Sequence, residues 1–251
     1  MDNSANPGPF KRDLATSIEP PPSEQRTSAA ATKAIVLLNV LVFCSMAFVS
    51  HGQSLSGDDR LMRAWGSNFG PLVLSGEYYR LVTNLFLHWD VMHIGFNMWA
   101  LWAIGQSVEE LYGSSKFLVM YLLSGIAGSL ASLLMHPHTD SAGASGAIFG
   151  VFGAFLVFLK LKENQLNRTA ARAATRSIIV LLIFNLVFGM THAFIDNAAH
   201  VGGFIGGLLA GLTTCPKDVY SKKWSMSNLI ATALLAAALY KFLQFDIQLN
   251  R

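Results

Sequence analysis

Charge is what this chain has least of: only 13% of its 251 residues are Asp, Glu, Lys or Arg. A soluble domain carries about 25%. With 52% apolar residues and a mean hydropathy of +0.41, that shortage excludes an ordinary soluble domain. Cysteine is scarce too. Cys44 lies in one apolar run and Cys215 follows another, so no disulfide framework is implied and two buried free thiols are expected. A formal net charge of +3 gives no basis for nucleic-acid binding. No His-Glu-x-x-His or Cys-containing ligand pattern accompanies His88, His93 and His200, so neither a metal nor another cofactor is expected. Residues 1–33 hold no apolar run; Pro20, Pro21 and Pro22 sit in their middle. They are neither a signal peptide nor a span, and read as a disordered cytoplasmic tail.

What is abundant is apolar sequence of spanning length. About 20 residues cross a bilayer. Stretches at 34–50, 91–108, 116–134, 144–161, 177–194, 198–214 and 227–245 meet or approach that length. The expected fold is an all-α polytopic membrane protein. Six of these helices lie within 34–214, and a connector and a seventh, C-terminal span within 215–251.

Lys and Arg set the orientation. One set of segments holds Lys11, Arg12, Arg26, Lys33, Lys116, Lys160, Lys162, Arg168, Arg172, Arg176, Lys217, Lys222 and Lys223. The alternate segments hold only Arg60, Arg63, Arg80 and Arg251, and Lys241 lies within the last span. The N-terminus is therefore expected in the cytoplasm and the C-terminus outside. The long outer connection, about 51–90, carries Trp65, Phe69, Tyr78, Tyr79 and Trp89, as a structure lying in the membrane interface would.

Glycines mark two spans: Gly143, Gly146, Gly150 and Gly153 in the fourth, and Gly202, Gly203, Gly206, Gly207 and Gly211 in the sixth. Spacings of three and four put them on one face of each helix and let those helices approach closely. Most such glycines serve packing alone, which still makes the two spans neighbours. Spans two, four and six run in the same direction, so His93, Asn97, Ser145 and His200 share a depth near the outer face. Polar groups at that depth are costly and tend to be functional. A lone membrane serine is usually a packing residue. Gly143-Ala144-Ser145-Gly146 strips side chains from around this hydroxyl, however, and a helix beginning there aims free N–H groups outward. A neutral His200 across the glycine seam is a suitable base for Ser145. His93 and Asn97, at i and i+4, can direct two donors at one point or simply bond between helices. Asp196 could orient His200 but more naturally caps the sixth span, so a dyad is expected.

The ordered set of motifs resembles the rhomboid family of intramembrane serine proteases. It comprises Glu77-Tyr78-Tyr79-Arg80, His88 with His93 and Asn97, Val108-Glu109-Glu110-Leu111-Tyr112-Gly113, Gly143-Ala144-Ser145-Gly146 and Ala199-His200-Val201-Gly202-Gly203. The resemblance implies Ser145 as nucleophile and His200 as base, with His93, Asn97 and the Ser145 N–H forming the oxyanion site. It makes Phe149 the aromatic under the histidine and Gly146 a close-packing glycine. Glu109 becomes a structural acid in the second connection, and Arg80 an arginine of the outer loop. Tyr79 stands where many relatives have Trp. The implied partners are the lipid bilayer and single-span membrane protein substrates cut beside a small residue. A bacterial inner membrane fits best, and an organelle membrane is compatible. Nothing here sets an oligomeric state. The competing readings are a non-proteolytic rhomboid-like chaperone, which typically lacks the serine or histidine, and a transporter, which would show inverted repeats.

Overall fold

A computed structural model describes residues 28–52, 58–191, 195–216 and 224–249. The tail up to residue 27, part of the 215–251 connector and the last two residues lie outside the described residues. Seven long helices stand where the apolar stretches were expected: α1 (Ala30–Val49), α5 (Val91–Tyr112), α6 (Ser114–Met135), α7 (Ser145–Leu161), α8 (Arg168–Thr191), α9 (Asn197–Thr214) and α10 (Met226–Leu249). Three short helices, α2 (Asp59–Trp65), α3 (Gly70–Leu74) and α4 (Arg80–Thr83), with a 3-10 turn at Asn84–Phe86, build the connection between α1 and α5. No strand occurs among the described residues, which hold only one isolated bridge, Asn68 to Ser141. The chain is an all-α polytopic membrane protein.

By length and composition alone, α1, α6, α8 and the Met226–Gln244 part of α10 are apolar enough to cross a bilayer. The helix α7 is apolar but has 17 residues. Polar residues dilute α5, and glycines with His200 dilute α9. Burial sorts the bundle. α6 lies at its centre, whereas α8 and α10 turn most of their surface outward, as lipid-facing helices do. The helix α9 packs most closely on α6 and α7.

Local chemistry sets the helix ends. Asp58, Asp90 and Asp196 cap α2, α5 and α9 by accepting from the N–H of Arg60, His93 and Ala199 at 2.8, 2.8 and 2.9 Å. Asn167 caps α8 through Thr169 and Ala170. Several helices outrun their apolar stretches. The first begins at Ala30, inside the segment assigned to the tail. The fifth continues through Glu109 to Tyr112, so Glu109 belongs to a helix and not to a connection. Its carboxylate is fully buried and accepts from the N–H groups of Ala31 and Thr32 at 2.9 and 2.7 Å. The hydroxyls of Thr32 and Ser114 donate to it as well, at 2.7 and 2.6 Å. Glu109 thus caps a helix 77 residues away in sequence.

The seventh helix runs the full height of the bundle. Near its start, Trp224 donates to Ser115 at 3.1 Å and the Asn228 amide to the Thr213 carbonyl. Near its far end, Leu239 and Leu243 pack with Val73 and Leu81 of the short-helix connection. Both thiols are free, but Cys44 is exposed on the outward face of α1 and Cys215 is half-buried, which corrects the expectation of two buried thiols. Burial habits learned from soluble cores do not transfer to a helix whose outer face meets lipid.

Candidate active site

The site begins with the seam between α7 and α9. A β-carbon on Gly203 would overlap the backbone of Gly146, and one on Gly207 would overlap that of Gly150. At Gly211 it would lie 2.7 Å from the Ala154 Cα. These pairs step down both helices four residues at a time, so the backbones touch along one register. The third wall was not foreseen. Ser124, Ala127 and Gly128 of α6 press into the same seam, with the Gly128 β-position 2.7 Å from the Ala199 carbonyl oxygen.

Close approach at the top of the seam brings Ser145 and His200 together. His200 Nε2 lies 2.9 Å from Ser145 Oγ. The His200 ring stacks on Phe149, one turn below Ser145, with centroids 4.2 Å apart and planes 8° from parallel. His200 Nδ1 is buried and has no hydrogen-bond partner among the described residues. Asp196 does not reach it; its carboxylate caps α9 at the Ala199 N–H. Among the described residues no acid reaches the pair, and the proton on Oγ has an acceptor within reach.

The first turn of α7 has no side-chain cap, so its N–H groups are free to meet an anion. Facing that turn is His93. Its Nδ1 accepts from the Trp89 N–H at 3.4 Å, which assigns the ring proton to Nε2. Gly143 has φ +131°, a backbone that L side chains rarely adopt, and a β-carbon there would sit 2.8 Å from His93 Nε2. The absent side chain leaves room beside the Cε1–Nε2 edge of the His93 ring. Asn97 is buried, and its Nδ2 lies 3.8 Å from the same β-position. One of its amide protons goes to the His93 carbonyl at 3.1 Å, leaving the second available.

Supporting residues fall into two groups. His88 is fully buried and sets its ring edge-on to His93, with centroids 4.9 Å apart, so it packs against that imidazole. Gly146 lets Ala199 approach to 3.2 Å from where its β-carbon would be. Arg80 is buried in the short-helix connection. Its guanidinium pairs with Glu77 at 2.7 Å and donates to the carbonyls of Arg63 and Ser67 at 2.8 and 3.1 Å. It organises the loop and contributes nothing directly to the site. Glu109 lies at the opposite end of α5 from His93.

Long-range polar contacts that no motif announces fix residues 136–144, which lead into Ser145. Asp140 pairs with Arg63 at 2.7 Å and accepts from Ser67 Oγ at 2.6 Å. Asn68 and Ser141 exchange backbone bonds at 2.9 and 3.0 Å, and the Gly143 N–H donates to the Asn84 carbonyl at 2.9 Å. Asn84 in turn donates to Ser129 of α6 at 2.9 Å. The only hint available was an acid and several amides clustered in polar segments near the same face.

Comparison with known proteins points to one family. The rhomboid domain model matches residues 75–217, which contain every site residue described. The chain is 36% identical to rhomboid protease GluP of Bacillus subtilis (strain 168) over 86% of its own length and 43% of that protein's. It is 35% identical to rhomboid-like protease 3 of Toxoplasma gondii over 62% of its own length and 59% of that protein's. It is 31% identical to rhomboid protease AarA of Providencia stuartii over 84% and 80%. The chain thus spans less than two thirds of the first two relatives and most of the third. With more than half of its residues matched by the domain, and with the glycine seam and its polar cluster inside that match, the chain belongs to the rhomboid family.

Proposed function

We propose that this protein is an intramembrane serine endopeptidase that hydrolyses peptide bonds in or beside the membrane-spanning helix of single-span proteins. The observation that carries this reading is the 2.9 Å approach of His200 Nε2 to Ser145 Oγ at the end of a glycine-lined seam. Packing alone does not require a hydroxyl and an imidazole to meet there. A non-proteolytic relative would have no use for the pair.

In the proposed reaction, Ser145 Oγ attacks the scissile carbonyl carbon while its proton passes to His200 Nε2. The carbonyl oxygen becomes an oxyanion. The Ser145 N–H, His93 Nε2–H and the free Asn97 amide proton stabilise it, acting where little water competes. Collapse breaks the C–N bond, and His200 returns its proton to the leaving amine. Water then enters and gives a proton to His200, and its oxygen attacks the acyl carbon. Breakdown of this second tetrahedral species expels Ser145, which regains the proton. Phe149 fixes the plane of the imidazole throughout, in the orienting role that an acid plays in a triad. No metal or cofactor enters this scheme.

The charge distribution supports a cytoplasmic N-terminus, which puts Ser145 near the outer face of the membrane. A bacterial plasma membrane fits that arrangement. The test is cleavage of a reporter single-span substrate by purified protein in liposomes. The wild type should release two fragments whose new ends map to the spanning segment. Release of fragments at the same rate by Ser145→Ala would end this reading.

A further inference from the structure

The geometry points to a binding site for one anionic phospholipid in the cleft between α7 and α8, at the opposite end of α7 from Ser145. The cleft has a volume of about 780 Å³, within the size range of ligand pockets. Arg168, Arg172 and Arg176 line it from α8. Their spacing of four residues puts all three on one helix face.

Among the described residues no carboxylate pairs with any of the three arginines. The acid in the lining, Glu163, is already paired with Lys160 at 3.0 Å. The stripe runs inward by about 12 Å from Arg168 to Arg176, at 1.5 Å per residue. The next residues that line the cleft are apolar, Ile179 and Val180, and Leu156 faces them from α7. All three arginines are exposed, so the stripe is open to a ligand arriving at the membrane face. Basic pockets between membrane helices commonly take lipid phosphates, and the planar guanidinium suits a phosphate bidentately.

The cleft has the two-part chemistry of an amphiphile: a cationic rim that fits a phosphodiester, then an apolar wall that fits the start of an acyl chain. A free phosphate would use the rim and leave the wall empty. A neutral lipid would use the wall and leave three cations unanswered. The occupant that satisfies both is an anionic phospholipid such as phosphatidylglycerol. The site is about 24 Å from Ser145 along the 17-residue α7, and it stands whether or not the protein is a protease.

Titration of the full-length delipidated protein, followed by native mass spectrometry, tests this. The probes are phosphatidylglycerol, phosphatidylcholine of matched chains, and inorganic phosphate. Phosphatidylglycerol should bind at least tenfold more tightly than phosphatidylcholine. Each basic residue near a membrane surface is worth about fivefold in binding, so Arg168→Gln/Arg172→Gln/Arg176→Gln should weaken phosphatidylglycerol on the order of a hundredfold. The corresponding triple lysine variant should recover most of that loss. Should the triple glutamine variant fail to fold, Arg172→Gln alone should still show about a fivefold loss, because Arg172 is exposed. Val180→Trp should weaken phosphatidylglycerol by filling the wall. Equal affinity for the two lipids, or unchanged phosphatidylglycerol binding in the glutamine variants, would overturn the inference. So would complete displacement by millimolar phosphate, which would mark a simple anion site.

Discussion

Gly203 of α9 rests on the backbone of Gly146 in α7 so closely that a single added β-carbon would overlap the Gly146 carbonyl. The same contact sets the distance between Ser145 and His200, because each lies within three residues of one of these glycines. Fold and candidate chemistry therefore depend on the same seam.

Gly203→Ala should force the helices apart. The obstruction is backbone, so no flexible side chain can give way. Overpacking of this kind costs about 1–3 kcal/mol. The 2.9 Å Ser145–His200 contact cannot survive such a shift. Thermal unfolding in detergent should show the lost stability, with cleavage reduced at least a hundredfold. Gly95→Ala is the matched control: nothing lies within 4 Å of its β-position, and alanine favours a helix. That variant should be as stable as the wild type or slightly more so.

Glu109→Ala should strike stability and leave chemistry alone. It would strand four donors, two of them backbone N–H groups at the start of α1. A buried donor left without its partner costs about 1–3 kcal/mol. With four donors affected, the expected loss is at least about 3 kcal/mol. Hydrogen exchange at Ala31–Ile35 should accelerate, and Glu109→Gln should recover part of the loss. Cleavage per folded molecule should stay unchanged.

Phe149 offers a finer test. Tyrosine keeps the ring under His200, whereas alanine removes it. A stacked aromatic pair contributes about 0.5–1.5 kcal/mol. Phe149→Ala should lower kcat by several-fold to about tenfold with KM little changed, and Phe149→Tyr should stay within about twofold of wild type. A large KM effect with constant kcat would move Phe149 from positioning the imidazole to binding substrate.

Loss of one oxyanion donor typically costs on the order of 10²–10³ in rate. Asn97→Ala should leave measurable cleavage, because His93 Nε2–H and the Ser145 N–H remain. His93→Ala should be at least as damaging. The double variant should lose less than the product of the two, since donors acting as a unit are not additive. Gly143→Ala should resemble His93→Ala, because the added carbon enters the space beside the His93 ring at a strained φ. Single-turnover kinetics would separate these losses from weaker substrate binding. Wild-type rates in both Asn97→Ala and His93→Ala would reassign the pair to packing.

What the sequence made legible follows from where its signals are short-range. Apolar runs located the helices because lipid tolerates little else. Helix direction put His93, Asn97, Ser145 and His200 at one depth, and small-residue spacing identified the touching faces of α7 and α9. The boundaries were less legible. Hydropathy falls at Glu109 and Arg176, but the backbone stays helical through both, since α5 turns its acid inward and α8 carries its arginines beyond the apolar segment. The pairings of Asp140 with Arg63 and Glu109 with Thr32 each join residues 77 apart. No local pattern announces such a partner. The contribution of α6 to the seam was hidden because Ser124, Ala127 and Gly128 look like ordinary small residues of an apolar helix.

The central claim, that Ser145 is made nucleophilic by His200, meets its most direct test in active-site labelling. Purified protein is treated with a serine-directed fluorophosphonate, and the modified residue is mapped by mass spectrometry in wild type, Ser145→Ala and His200→Ala, with thermal unfolding confirming that each variant is folded. Label should appear on Ser145 in the wild type, vanish in Ser145→Ala and fall at least a hundredfold in His200→Ala. Wild-type labelling of Ser145 in folded His200→Ala, or label that persists on another serine with cleavage intact in Ser145→Ala, would contradict it.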